Sequence, residues 1–177
     1  KTTIARLLAT QVGLHFVQLS AVFSGVADLR KVFTAANKQR VSGQGTLLFV
    51  DEIHRFNRSQ QDGFLPYVED GTIILVGATT ENPSFELNAA LLSRCQVLVL
   101  KRLDEDALEE LLRRAETAYD RDLPLQPEAR QALLSMADGD GRFVLNLAEE
   151  LLTLEESMTH LDVAALSKTL QRRAPVY

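Results

Sequence analysis

Leu47-Leu48-Phe49-Val50 is an unbroken apolar run that stops at an acidic pair, Asp51-Glu52. A strand that is apolar on both faces needs cover on both, as an internal strand of a parallel sheet between helical layers has. The two carboxylates then stand at the C-terminal edge of the sheet, where open α/β folds bind ligands. One carboxylate there can hold Mg²⁺ and the other can poise a water. A second constraint is Lys1-Thr2-Thr3, followed by Ile4, Leu7, Leu8 and Val12 at helical spacing. Lys-Thr opening an amphipathic helix is the second half of the phosphate loop G-x-x-x-x-G-K-[ST]. In that loop the lysine meets the β/γ-phosphates and the hydroxyl meets Mg²⁺. Together the two motifs read as a nucleoside triphosphatase without the glycines of its loop. With no Met at its start, the chain is expected to be a fragment of something longer.

The remaining pattern fits a sheet followed by helices. His15 to Leu19, Thr46 to Val50, Thr72 to Gly77 and Gln96 to Leu100 read as four strands. Helical stripes run from Asp28 to Gln39, Ser59 to Val68 and Ala89 to Leu92 between them. Strands alternating with helices predict a parallel sheet covered on both faces. After Leu100 no β-branched run recurs. Asp104 is placed to cap a helix carrying Leu108, Leu111, Leu112 and Ala115 on one face, and stop signals divide the rest into three more helices. The expected organisation is an α/β domain over 1–102 and a helical lid over 103–170. Residues 171–177 are expected to begin the connection to a further domain.

Composition narrows the classes. A net charge of −5 argues against a general polyanion-binding surface, so any contact with nucleic acid must be a local patch. Arg55 and Arg58, just beyond Glu52, are the candidates; Lys31, Lys38 and Arg40 read as a solvated face. The single cysteine, Cys95, forms no internal disulfide, and with His15, His54 and His160 it shows no metal-ligand spacing. That points to a reducing compartment, most simply the cytoplasm. No apolar stretch approaches the length of a membrane span.

Three further positions bear on chemistry. Gly77-Ala78-Thr79-Thr80-Glu81-Asn82 closes the third strand at the same edge as Asp51 and Glu52. Its hydroxyls either orient an attacking water or hydrogen-bond their own backbone in a turn. Arg94, in Leu91-Leu92-Ser93-Arg94-Cys95, is either a partner for a helix C-terminus or a cation offered to a neighbouring subunit's γ-phosphate. Arg142 follows Asp138-Gly139-Asp140-Gly141 at a helix start, where the macrodipole disfavours a cation; such a residue suits a phosphate.

Lys1-Thr2, Phe49-Val50-Asp51-Glu52-Ile53-His54-Arg55-Phe56, Gly77-Ala78-Thr79-Thr80-Glu81-Asn82-Pro83-Ser84-Phe85, Leu91-Leu92-Ser93-Arg94-Cys95 and Gly139-Asp140-Gly141-Arg142 occur in succession. This succession resembles the AAA+ ATPases of the clamp-loader clade. More narrowly it resembles the replication-associated recombination protein A family, also called the MgsA or Werner-helicase-interacting-protein family. The resemblance implies an AAA+ P-loop fold, a three-layer sandwich with a parallel sheet whose first strand precedes Lys1, and a helical lid. It implies Lys1, Thr2 and Thr3 as Walker A residues binding ATP, Asp51 and Glu52 as Walker B, and Thr80 as sensor 1, with Thr79 the second choice. Thr2 and Asp51 would hold Mg²⁺, Arg94 would be a finger acting in trans, and Arg142 the lid's sensor 2.

The activity implied is DNA-dependent ATP hydrolysis at subunit interfaces, in replication-fork maintenance, recombination and repair, and it is expected of a full-length protein. Implied partners are single-stranded or fork-like DNA, single-stranded-DNA-binding protein and replisome components in a bacterial cytoplasm or nucleoid. Homotetramers would form through a further C-terminal domain. Two other readings stay open. Asp51-Glu52-Ile53-His54 also matches the D-E-x-H box of superfamily-2 helicases, and an inactive AAA+ module could serve assembly or DNA binding alone.

Overall fold

The computed structural model describes residues 1–155 and 160–173. It consists of two compact units, Lys1–Leu98 and Val99–Tyr177. Residues 174–177, the end of the stretch expected to lead into a further domain, lie outside the described residues.

The first unit runs α1 (Thr2–Gln11), β1 (His15–Ser20), α2 (Val26–Val41), β2 (Thr46–Asp51), a 3₁₀ turn (Ile53–Arg55), α3 (Arg58–Asp62), α4 (Leu65–Glu69), β3 (Ile73–Gly77), α5 (Pro83–Glu86) and α6 (Ala89–Leu92). The three strands form a parallel sheet in the order β1-β2-β3. β2 is central, and its alternation sends Leu48 and Val50 into one core and Leu47 and Phe49 into another. The first core takes Leu29, Phe33 and Ala36 from α2 together with Phe64; the second takes Ala5 and Ala9 from α1. All four β2 side chains are buried, each contributing about 1.5–3 kcal/mol. Phe33 stacks on Tyr67 at 4.0 Å between ring centroids, which fixes α4 against α2.

Two expectations are corrected. The stretch from Ser59 to Val68 forms two short helices, because Pro66 has no N–H to offer the preceding turn and its ring crowds it. The fourth expected strand, Gln96 to Leu100, pairs with nothing among the described residues. Val97, Leu98, Val99 and Leu100 are 49, 76, 81 and 58% exposed. An apolar β-branched run marks a segment able to join a ladder, but a strand exists only where a neighbour supplies the other half of the hydrogen bonds.

The second unit contains α7 (Glu105–Tyr119), α8 (Pro127–Ala137), α9 (Gly141–Leu152) and α10 (Val163–Arg173). Asp104 caps α7, its Oδ1 accepting the Ala107 N–H at 2.9 Å. Leu108, Leu112, Leu133, Val144, Leu151 and Leu166 fill its core. Arg130 lies between Glu109 and Glu116 and ties α8 to α7. No helix of the described residues is long and apolar enough to cross a membrane.

Candidate active site

The sheet register decides which residues meet. Ser20 lies opposite Asp51, and Val50 opposite Gly77, so all three strands end together. Past β2 and β3 the chains are laced by two backbone bonds, Ala78 N–H to Val50 O at 2.8 Å and Ile53 N–H to Ala78 O at 2.9 Å. Asp51, Glu52, Thr79 and Thr80 therefore share one edge. Gly77 is needed here, because a Cβ on it would stand 3.0 Å from the buried Ile53 side chain.

The chain leaves β2 through Glu52 in the left-handed region (φ 51°, ψ 44°). For a residue with a Cβ this costs on the order of 1–2 kcal/mol, a cost that persists only where surroundings enforce it. The 3₁₀ turn that follows is anchored by Ile53. Thr80 Oγ1 donates to Glu52 Oε2 at 3.2 Å, joining the expected sensor hydroxyl to the expected base. His54 Nδ1 stands 3.3 Å from the same Oε2 and 2.8 Å from Thr79 Oγ1. The two readings of the segment after β3 are both realised. Thr79 Oγ1 accepts the Glu81 N–H at 3.0 Å and Asn82 Oδ1 accepts the Ser84 N–H at 3.0 Å, which are turn contacts, while Thr80 reaches across to Glu52.

Lys1 joins the same edge, its Nζ donating to the carbonyl of Thr79. Thr2 and Thr3 form the first turn of α1. Arg94 lies just past α6 and is held within its own chain: Nε and Nη2 each stand 2.6 Å from Glu69 Oε1, and Nη1 donates to Ala90 O at 2.8 Å. Arg55 and Arg58 are exposed. Lys31 and Arg40 have carboxylate partners, Asp28 at 3.5 Å and Asp70 at 3.4 Å. In the second unit Arg142 is exposed in the first turn of α9, whose amides at Arg142 and Phe143 are capped by Asp140 Oδ1.

Three residues of this neighbourhood escaped the sequence reading. His54 passed as part of a motif, and Glu69 carried no signal at all. Gln61 is buried in full, its amide donating to Phe56 O at 2.8 Å and Glu86 O at 3.1 Å while its carbonyl accepts Asn88 N–H at 2.8 Å. It thereby ties the loop after Glu52 to the segment that leads to Arg94. A glutamine in a polar stretch looks solvated unless its distant partners are known.

The family model of the ATPase family associated with various cellular activities (AAA) matches residues 1–103, more than half of the chain. The chain belongs to this family, in its replication-associated recombination protein A and WRNIP1 branch. It is 46% identical over 161 residues to the Escherichia coli K12 replication-associated recombination protein A, covering 88% of this chain and 36% of that one. It is 51% identical over 154 residues to the Coxiella burnetii protein of the same name (84% and 34% covered). With the Dictyostelium discoideum ATPase WRNIP1 it shares 46% over 153 residues (84% and 18% covered). The chain thus spans about a third or less of the length of these relatives. Among solved structures, the Thermotoga maritima RuvB Holliday junction branch migration motor superposes with a TM-score of 0.75 at 24% identity, covering 97% of this chain and 57% of that one, a likeness of fold. The α/β AAA+ fold expected from the motifs is the one found.

Proposed function

We propose that this AAA domain is the ATP-hydrolysing part of a DNA-dependent ATPase that acts in replication-fork maintenance, recombination and DNA repair, with turnover at the interfaces between subunits. The observation that carries this reading is the contact of Thr80 with Glu52 across the ends of β2 and β3, beside Asp51. The names of its relatives support the replication and recombination setting.

The residues at this edge fit Mg²⁺ and a nucleoside triphosphate by the chemistry of their donors. Thr2 and Asp51 offer hard oxygens, and no group of three or more His, Cys, Asp or Glu among the described residues forms an all-protein cage. That suits an ion that keeps waters and substrate oxygens as ligands. Thr2 and Asp51 would hold the ion, which when bound neutralises charge on the phosphates. Lys1 and the first turn of α1, with Thr3, bind the triphosphate through an ammonium and backbone amides. Glu52 takes the proton of the attacking water, and Thr80 fixes its carboxylate for that task. Arg94 of a neighbouring subunit supplies positive charge to the transition state. Arg55 and Arg58 meet single-stranded or fork-like DNA. Tetramer assembly through a further domain, contact with single-stranded-DNA-binding protein and the replisome, and a cytoplasmic location complete the reading.

Glu52→Gln in the full-length protein tests it. ATP and Mg²⁺ binding should persist while turnover falls by about a hundredfold or more, as for loss of a general base. Tight ATP binding with near-normal turnover would remove Glu52 from the mechanism.

A further inference from the structure

The geometry points to His54 as a positioning residue that, with Thr79, fixes the orientation of the Glu52 carboxylate. This rests on the reading of Glu52 as the general base. Among the described residues of the first unit His54 is the one imidazole at this edge, its side chain is only 7% exposed, and the mechanism above does not use it. Its Nδ1 faces two oxygens, Glu52 Oε2 at 3.3 Å and Thr79 Oγ1 at 2.8 Å. We place the ring proton on Nδ1, because a bare lone pair there would oppose the carboxylate; the N–H then donates to Thr79 Oγ1 and lays its positive end beside Glu52 Oε2. Thr79 is itself held by the Glu81 N–H at 3.0 Å, so the imidazole rests on a hydroxyl that cannot swing freely.

The consequence falls on Glu52. Thr80 Oγ1 donates to Oε2 and the Nδ1 edge of His54 stands 3.3 Å from the same oxygen, one past the end of β3 and the other past the end of β2, and together they fix the plane of the carboxylate. Oε1 is then the oxygen presented to a water. A carboxylate in a left-handed residue at a strand end, 29% exposed, would otherwise sample several rotamers. Holding it in one of them is the contribution His54 makes, and a misplacement of about 1 Å at a reacting group can cost as much as a hundredfold in rate. His54 touches no reacting atom; it acts through Glu52.

Steady-state ATPase kinetics and equilibrium ATP binding of the full-length protein test this with three variants. His54→Leu fills the space without a donor and should lower kcat about tenfold, with KM and ATP affinity unchanged. His54→Asn returns an N–H near the Nδ1 position and should recover most of the loss. Thr79→Val keeps the imidazole but frees it, and should lower kcat in the same direction, which covers the case in which His54→Leu fails to fold. A kcat for both His54→Leu and Thr79→Val within twofold of the parent overturns the proposal. So does a His54→Asn protein as slow as His54→Leu, or a KM that moves as far as kcat. Glu52→Gln, measured alongside, separates the layers. If it stays active, the assignment of the base fails and the proposal with it; if it is inactive while His54→Leu and Thr79→Val are normal, only the positioning role fails.

Discussion

If Arg94 serves a neighbouring subunit, it must first leave Glu69. Within one chain, Nε and Nη2 of Arg94 both stand 2.6 Å from Glu69 Oε1, with Ser93 Oγ and Ala90 O taking Nη1. The two side chains are 40 and 50% exposed, so water and salt screen the pair. Surface pairs of this kind are worth about 0.5–1 kcal/mol. A finger withheld by that amount is available in a smaller fraction of subunits, by a factor of about two to five. Glu69→Ala should therefore raise the turnover of the assembled full-length ATPase about two- to fivefold and leave ATP binding unchanged. Loss of helix stability does not confuse the result, because Glu69 ends α4, where a carboxylate opposes the macrodipole. The assay is steady-state hydrolysis at saturating Mg-ATP, at protein concentrations where assembly is complete, with Arg94→Ala as the inactive reference. A fall of tenfold or more in Glu69→Ala would refute the argument, since it would mean that Glu69 presents Arg94 instead of withholding it. Normal turnover in Arg94→Ala would remove the finger altogether.

Arg130→Ala should destabilise the helical unit by about 1–3 kcal/mol in denaturant titrations, because Glu116 would lose its paired cation in a partly buried site and Glu109 would keep only the longer contact with Arg113 at 3.7 Å. Burial alone would raise the Glu116 carboxyl, but hydrogen bonds from Arg130 and the Leu123 amide, with the charges of Arg130 and Arg113, hold it below its ordinary 4.5. A depressed carboxyl stabilises the fold above its unfolded pKa and loses that contribution as pH falls through the folded value. The gap between parent and variant should thus narrow below about pH 4.5, and a gap that widens in acid would contradict this. Replacing Arg55 and Arg58 together by Ala should reduce DNA-stimulated ATPase much more than basal ATPase. It should also make the plot of log affinity against log salt shallower by roughly one unit per lost phosphate contact; equal losses in both rates would place the DNA surface elsewhere.

What the sequence disclosed, and what it withheld, divides along the range of the interactions. The Leu47 to Val50 run was legible as a strand because burial on both faces leaves its mark residue by residue, and Ile73 to Val76 because its β-branched apolar run follows a turn signal, although Ile74 is half exposed. Gln96 to Leu100 has the same composition and is no strand, since pairing is a property of the neighbour. The break between α3 and α4 could have been read from Pro66, had its missing donor been weighed against the apolar stripe. At the candidate site, the meeting of Asp51, Glu52 and Thr80 could be expected because strand ends in a parallel sheet share an edge. His54 with Thr79, 25 residues apart, and Arg94 with Glu69, also 25 apart, were not, because no periodicity spans such a gap.

The precision of the edge is inherited from the core. Thr80 meets Glu52 only if β3 ends where β2 ends, and the register that sets Val50 opposite Gly77 is chosen by which β2 side chains face which core. Moving β2 by one residue would send Leu48 and Val50 to the α1 side and Leu47 and Phe49 to the α2 side. The large Phe49 would then face Phe33 and Phe64, while small Ala5 and Ala9 would face side chains too short to fill the space. The same slip would carry Glu52 away from Thr80 and Ile53 away from its place over Gly77. Packing that excludes the slipped register therefore also holds the Glu52 carboxylate and the Thr80 hydroxyl at 3.2 Å, so, if Glu52 is the base, substitutions that reshape Phe49 or Phe33 should act on turnover as well as on stability.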